Sequence, residues 1–577
     1  MLFMAGQSPN SLRQDELSDY AYVGPFGGVQ SEVPLDKINR SGFAEVQNLL
    51  LRKAGAELVP AFIPLGKQPL TGIEIIQLIG EINALSANYP PGLISSLSSV
   101  GSASPIMGIA DFFTVNGTRV FVVMTPTGMF QWTGGQWLQV PGTLTGSTSQ
   151  FFSWDVVGYK LYFSQQKDVV QVWDGITTSF AAASGSAVPG KYLCELDFHL
   201  LVANCVPLGV NAPNAIFWSG AGDGTDWTSF SSGSDNLYNG LGPINGLARI
   251  YQAGYAFQQW GITQILPTGN GLSPFQFVTM GSKAKGSILP YGVASFGEVV
   301  ACYVGKDNIY LFDGTESNPI GSRPIDGNRM LGARRRIFTD LYNANLSNIT
   351  GFINTSSNGQ DYGSYWLLIP SLNKAWVYHF DEGNWTQVFF NPGQLQGPAG
   401  VFTGNNYGAP EIIQLVGTIA AQSWTFASLT NATPLDTMAI ADANAKTVSL
   451  LSWGQPSSLP TSGSINKTDG WYVRSGQLNF DDSRRNHSIK KVRGLFIDGG
   501  RITVNLRITN EFGQQATASD TYGTGSGVTI TIVFALSGAG ISGKYLTWEL
   551  SGPQGVGFGM SELTPVFDVG GEVQNNR

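Results

Sequence analysis

From residue 108 onward, short runs of apolar and β-branched residues alternate with clusters of Gly, Asn, Asp and Ser. The runs at 118–124, 157–163, 200–205 and 309–312 predict strands closed at both ends by turns. One earlier segment has a different period. Thr71-Gly-Ile-Glu74 fits a capping box, and Ile75, Leu78, Ile82 and Leu85 follow at helical spacing, so a helix is predicted there. A second, shorter helical turn is predicted after Ser41. Pro90-Pro91 and the Ser/Gly stretch to Ser104 read as a linker.

The strand-rich part repeats. An aromatic followed by a small or acidic turn recurs at Trp132, Trp173, Trp218, Trp260, Phe312 and Phe380, with successive spacings of 41, 45, 42, 52 and 68 residues. The first three intervals match one four-stranded blade each, and the last two require insertions. The pattern predicts an all-β chain built on a β-propeller, with six blades countable on these buried aromatic anchors and a seventh within reach of strands around 400–424. A blade buries both faces against its neighbours, so its strands take apolar and aromatic residues and little charge. Tight Asp-Gly and Gly-Gly turns require positive φ.

After about residue 425 the texture changes. Residues 429–464 are rich in Ala, Ser, Thr and Pro with weak periodicity, and read as a connecting segment. Alternation returns at 471–479, 489–497, 501–509, 527–536, 544–550 and 560–569, which predicts a C-terminal β-sandwich. The predicted division is an arm and hairpin over 1–62, a helical insertion and linker over 63–104, the propeller over 105–425, an irregular linker over 426–469 and the sandwich over 470–577.

Composition fits this picture. The chain has 577 residues, of which 73 are Gly, only 12% are charged and 12% are aromatic, with a net charge of −8. The apolar content excludes disorder, and the aperiodic glycines exclude collagen. Three cysteines make no disulfide framework. The start lacks the pattern of a signal peptide, no apolar run approaches a membrane span, and a soluble product made in the cytoplasm is expected. Basic residues cluster only at Arg334-Arg335-Arg336 and between Arg484 and Arg493, each read as a solvated or interfacial strand end.

Candidate chemistry is sparse. Gly538-Ala-Gly-Ile-Ser-Gly543-Lys544 imitates a P-loop, but Tyr545 stands where Ser or Thr would hold magnesium, and an alternating strand follows. The Gly523 to Gly527 cluster reads as a loop. His199, His379 and His487 keep no metal or triad spacing, so neither metal nor cofactor is expected. Trp218-Ser219-Gly-Ala-Gly-Asp223-Gly-Thr-Asp226-Trp227 resembles the Asp-box turn of sialidase-type propellers, a structural motif in which Ser219, Asp223 and Trp227 would stabilise a hairpin. Asp174, Asp313, Asp381 and Glu382 also fall in turns after anchors, where turn chemistry accounts for them. Glycoside cleavage needs two facing carboxylates; catalysis is a remote alternative, and no catalytic residue is assigned. Trp137, Trp227, Trp385 and Trp453 suit either inter-blade core or stacking on a sugar or another chain.

Several segments together resemble a known group. Gly27-Gly28-Val-Gln-Ser-Glu-Val-Pro34-Leu35, Gly42-Phe-Ala-Glu-Val-Gln-Asn48-Leu and Leu51-Arg-Lys-Ala-Gly55-Ala-Glu-Leu-Val-Pro60 are similar to the leading segment of tailed-phage virion proteins that build a propeller, where a glycine pair, a short helix ending in Asn and a hairpin precede the first blade. Trp218 to Trp227, Leu266 to Phe275, Tyr310 to Gly314, Pro319-Ile-Gly321, Ala375 to Trp385, Arg474-Ser-Gly476, Gly543-Lys-Tyr545 and Gly570-Gly571 continue the succession. Within that group the chain most resembles the tail nozzle, or tail hub, proteins of short-tailed phages. The resemblance implies a structural, non-enzymatic virion protein of the tail. It would form a homohexameric ring below the adaptor, extend the channel for double-stranded DNA without sequence-specific binding, and offer surface to fibres or spikes and to the host envelope. The alternative from another class is a carbohydrate-binding propeller used in host adhesion.

Overall fold

The computed structural model describes residues 22–65, 105–404, 435–452 and 470–569, apart from short stretches within them. The helix expected at 71–85, the linker to Ser104, Trp424, Trp453, the Gly523 to Gly527 cluster and the last residues lie outside the described residues.

The chain is an all-β propeller joined to a β-sandwich. Blade 1 runs through Gly108–Phe113, Arg119–Thr125, Gly128–Trp132 and Trp137–Val140; blade 2 through Ser153–Val157, Lys160–Ser164, Gln171–Trp173 and Ala181–Ala182. Blade 3 comprises Gly190–Leu196, His199–Cys205, Ala212–Trp218 and Gly233–Asn236, blade 4 Ile244–Ile250, Ala253–Gln258, Ile262–Pro267 and Phe275–Thr279, and blade 5 Ala294–Phe296, Val300–Val304, Ile309–Phe312 and Ser317–Pro319. Each is an antiparallel meander. A sixth four-stranded set, Thr350–Asn354 to Asn384–Phe389, heads a larger ten-stranded sheet. The last set combines Leu395–Gly404, Leu435–Asp442 and Thr447–Ser452 with Ala61–Pro64 from the far end of the chain, which pairs antiparallel with the third of them. The first strands of all these sets touch in cyclic order, the last meeting the first, so the arrangement closes on itself.

Residues 435–452 therefore supply two strands of the last blade and are not part of an irregular linker. Their composition hid them: Met438, Ala439, Ile440 and Ala441 are all buried, so the run lacks the alternation of a half-exposed strand. The anticipated closing strands around 400–424 are met by Leu395–Gly404 alone among the described residues.

The N-terminal arm is a shared part. Phe43–Gln47 is a strand, where a short helix was expected, because both its edges are occupied: it runs parallel to the outer strand of blade 6 and antiparallel to Trp471–Ser475 of the sandwich. Four of its five residues are buried, a two-sided pattern that sequence periodicity reads poorly. The next hairpin, Leu49–Arg52 with Gly55–Leu58, joins the other sheet of the sandwich against Gly557–Val569, followed by His487–Gly499 and Thr529–Ala535. The first sandwich sheet continues from Trp471–Ser475 through Tyr545–Gly552 and Ile502–Asn510 to Gln515–Tyr522. Ile541–Gly543 and Tyr545–Gly552 are both strands, so the P-loop-like run leads into sheet rather than helix.

Asn48 sits at the joint, in a left-handed conformation with φ 55°. Its N–H donates to the Gln387 carbonyl at 2.8 Å, and its carbonyl accepts from the Val59 N–H at 3.1 Å. Its side-chain oxygen accepts from the Phe389 N–H at 2.7 Å, and its amide donates to the Gly470 carbonyl at 2.8 Å. Blade 6, the sandwich and the approach to the last blade are thus held by one wholly buried residue.

The described residues also contain a ten-residue helix, Arg334–Asn343, where the triple arginine was read as a strand end. Ile337 and Leu341 point into the core. Three arginines oppose the positive end of the helix dipole. They are offset by acids from the arm: Glu32 accepts from the Arg335 N–H at 2.6 Å and from Arg334 at 3.0 Å, and Arg336 reaches Glu45 at 3.3 Å.

Replacing Asn48 by Ala removes the side-chain hydrogen bonds to Phe389 and Gly470 and leaves a buried N–H and a buried carbonyl without that partner. A loss of about 2–5 kcal/mol is expected in urea unfolding at equilibrium. Asn48→Gly, which tolerates the positive φ, should lose a comparable amount; a loss below about 1 kcal/mol would contradict the joint.

Candidate functional site

The anchors divide. Trp132, Trp173, Trp218 and Phe312 each end the third strand of their blade, and Phe380 directly follows the third strand of blade 6. Trp173 packs edge-on against Phe112 of blade 1 at 6.0 Å, and Phe312 against Tyr255 of blade 4 at 5.1 Å. Trp218 faces the other way, onto Phe275 of blade 4 at 5.6 Å. Trp132 packs at a tilt against Trp137 at 5.2 Å, and Phe380 meets Phe296 of blade 5 at 6.2 Å. Trp260 does not belong to this set. It lies in the turn between the second and third strands of blade 4, is 51% exposed, and carries the Lys306 ammonium 4.9 Å from its ring centre. Ile265, wholly buried and paired with Gly254, takes the anchor position instead, so spacing alone selected the wrong residue.

The acidic turns are held by local geometry. Asp174 accepts from the N–H groups of Ile176 and Thr177 and from the Thr177 hydroxyl at 2.7–2.9 Å, and Asp313 does the same with Thr315 and Glu316 at 2.6–3.0 Å. Burial acts to raise the pKa of both carboxyls, but these bonds together hold them below the ordinary value. In the Asp-box-like turn, Ser219 is buried and its hydroxyl accepts from the Leu200 N–H at 3.0 Å. Asp223 caps Thr225 through its N–H at 2.9 Å and its hydroxyl at 2.7 Å, while the Trp227 indole donates to the Gly224 carbonyl at 2.9 Å. Every one of these groups stabilises a hairpin. His199 is buried against the Ser219 carbonyl at 2.5 Å, and His379 and Trp385 lie in the core. Among the described residues no group of His, Cys, Asp or Glu has the make-up of a metal site.

A different group of residues forms a cleft of about 920 Å³ across blades 2, 3 and 4. Its rim is three two-residue hairpin turns joining first to second strands: Gly158-Tyr159, Asp197-Phe198 and Tyr251-Gln252. Tyr159, Asp197, Phe198 and Tyr251 all have φ between 49° and 63°. Such turns favour Gly and Asn, and a bulky residue there costs about 1–2 kcal/mol. Other tight turns of the chain use glycine at positive φ, including Gly117, Gly175 and Gly222. Here the aromatics are kept and displayed, with Phe198 70% and Tyr159 and Tyr251 each 59% exposed.

A ladder of charges fixes the turns of blades 3 and 4 from beneath. Asp155 accepts from the Glu195 N–H at 2.6 Å; Glu195 accepts from the Phe198 N–H at 2.7 Å and pairs with the Arg249 guanidinium. Arg249 donates to the Tyr251 carbonyl at 3.3 Å and reaches Glu298 of the next turn at 3.3 Å. Burial pushes the Asp155 carboxyl up to about 6, against the N–H bonds from Glu195 and Val156. Asp155 does not line the cleft, so its raised pKa serves no reaction there.

The sequence motifs mark the turns after the anchors and leave the aromatic turn tips unmarked. A usable signal existed: two-residue gaps between apolar runs, each holding an aromatic where Asn or Gly is the norm.

The propeller axis is filled. Phe151, Tyr192 and Tyr291 cluster there, with Phe151 and Tyr291 ring centres 5.0 Å apart, around a cavity of about 170 Å³. Close approach of the first strands requires glycine: a Cβ on Gly351 would lie 2.4 Å from the Gly292 carbonyl oxygen, and one on Gly246 2.6 Å from Val293.

No family model matches the chain, and no curated protein matches it. Solved structures with similarity include BamB from Moraxella catarrhalis, at 10% identity and a TM-score of 0.32 over 61% of this chain and 84% of that one. The computationally designed Ika8 protein matches at 11% identity and a TM-score of 0.33, over 74% of this chain and 99% of that one. A glycoside hydrolase family 43 arabinoxylan arabinofuranohydrolase from Bacillus subtilis matches at 10% identity and a TM-score of 0.20, over 80% and 92%. Scores this low carry no argument about what the chain does, and the blade arrangement stands on its strand pairing.

Two outcomes are expected. Phe198→Gly relieves the left-handed backbone and should leave stability within about 1 kcal/mol of the parent in chemical denaturation, whereas a core aromatic would lose about 3–5 kcal/mol. Asp155, with its pKa raised from 3.8 to about 6, holds a proton in the folded state between about pH 4 and pH 6 that the unfolded chain has released. Its contribution is therefore present below pH 4 and lost as pH rises through 6, and unfolding midpoints measured across that window should fall less steeply in Asp155→Asn.

Proposed function

We propose that the chain is a structural subunit of a phage tail, assembling as a closed, sixfold ring of the nozzle or hub type around the DNA path. The observation that carries this reading is the display of large apolar side chains at both ends of blades 3 and 4. Leu208, Val210 and Tyr238 lie at one end and Phe230 and Leu272 at the other, each exposed by two-thirds or more. Large apolar side chains exposed to this degree at two opposite ends are surface that an assembly with two unlike faces would cover. A cyclic ring joins unlike surfaces head to tail, so every subunit needs two of them.

Two further features support it. The ordered resemblance to nozzle and hub proteins extends from the leading segment to the sandwich. The propeller's own axis is blocked by Phe151, Tyr192 and Tyr291, so a duplex would have to pass between subunits, along the axis of a ring. The acidic turns, spent on their own hairpins, support a protein that works by assembly rather than catalysis. In the tail, the adaptor above and fibres or spikes at the side are the partners this role implies, with DNA passing unread.

Native mass spectrometry of the purified chain tests the proposal. Six copies of a 61.7 kDa subunit give a particle of about 370 kDa. Leu208→Asp combined with Tyr238→Asp should shift the population toward monomer without lowering the thermal midpoint of the subunit. A parent chain that stays monomeric at micromolar concentration would overturn the ring.

A further inference from the structure

We infer that the cleft across blades 2, 3 and 4 is a binding site for a neutral, hydroxyl-rich saccharide. The inference does not depend on ring assembly, because the cleft is formed within one chain. Its rim presents the exposed rings of Tyr159, Phe198 and Tyr251 from three successive blades, and its lining includes Glu195, Asp197 and Arg249.

The chemistry of that lining selects the occupant. The C–H faces of a sugar ring stack on exposed aromatic faces, and its hydroxyls donate to carboxylates and accept from a guanidinium. An apolar peptide segment would cover Glu195 and Asp197 without supplying donors, at a desolvation cost that hydroxyl groups avoid. Duplex or single-stranded DNA meets the opposite problem: Arg249, the cation that lines the cleft among the described residues, is already paired with Glu195 and Glu298, and the carboxylates repel phosphate.

Rigidity is the second observation. The aromatic tips keep left-handed backbones that glycine would adopt more easily, and the Glu195 and Arg249 bonds to Phe198 and Tyr251 hold two of them in place. A site whose rim is fixed before the ligand arrives loses little conformational entropy on binding. The same turns with glycine would serve the fold alone, so the retained aromatics indicate use of their faces.

The test is binding of the full-length chain to an array of bacterial surface polysaccharides and neutral oligosaccharides, followed by titration of the strongest hit. Saturable binding is expected. It should weaken tenfold or more in the double variant Phe198→Gly, Tyr251→Gly, whose backbones tolerate glycine, and stay unchanged in Phe512→Ser, which removes an exposed aromatic of the sandwich outside the cleft. Near-ultraviolet circular dichroism and native mass are read on the same samples, so a failed ring and a failed glycan site are told apart. The inference is overturned if no glycan on the array binds, if the double variant binds as well as the parent while folded, or if Phe512→Ser loses binding equally.

Discussion

Asn48 is the residue through which the two halves of the molecule are fastened. Hydrogen bonds from its backbone and side chain run to blade 6, to the sandwich and to the chain leading into the last blade. A left-handed backbone is needed for these directions to diverge, and asparagine is among the few residues that adopt it at modest cost while offering both a donor and an acceptor. If this residue fails, Phe43–Gln47 loses its bridge between the sheets, and Ala61–Pro64 loses its lead into the blade it completes.

Closure of the propeller depends on that lead. The last blade takes three strands from after blade 6 and one from residues 61–64, so the ring of blades is locked by the two ends of the propeller sequence meeting in one sheet. Phe62 contributes to the lock by packing on Phe390 at 5.4 Å and edge-on to Trp366 at 6.3 Å. The sandwich is built on the same principle, since each of its sheets borrows a strand or hairpin from the arm. Neither unit is complete without the arm, which argues for cooperative loss of both when the arm is displaced.

How much of this was legible follows from what each strand buries. The C-terminal strands could be read because alternation survives where one face is more open, as along Thr529–Ala535, where exposed and buried positions alternate from Thr531 to Ala535. Phe43–Gln47 and Leu435–Asp442 could not, because covered faces erase alternation and leave runs that imitate a helix or a linker. The helix at Arg334–Asn343 was hidden by its own arginines, whose acidic partners Glu32 and Glu45 lie some three hundred residues away. The aromatic period identified the propeller yet misplaced Trp260, since a period fixes spacing and not the register of a residue against its neighbouring strand.

The same distinction governs where function is expressed. At the third-strand turns, Asp174, Asp223 and Asp313 bind their own backbone, and their chemistry is used up in making the turn. At the first-strand turns of blades 2, 3 and 4 the backbone is strained and the side chains face solvent, and at blades 3 and 4 stabilising bonds come from Glu195 and Arg249 of the strands behind. A turn that holds itself can tolerate any surface. A turn held from outside, with an aromatic where glycine would be easier, keeps its side chain for something other than the fold, and such turns, rather than the motif-bearing ones, are where this molecule is equipped to recognise a partner.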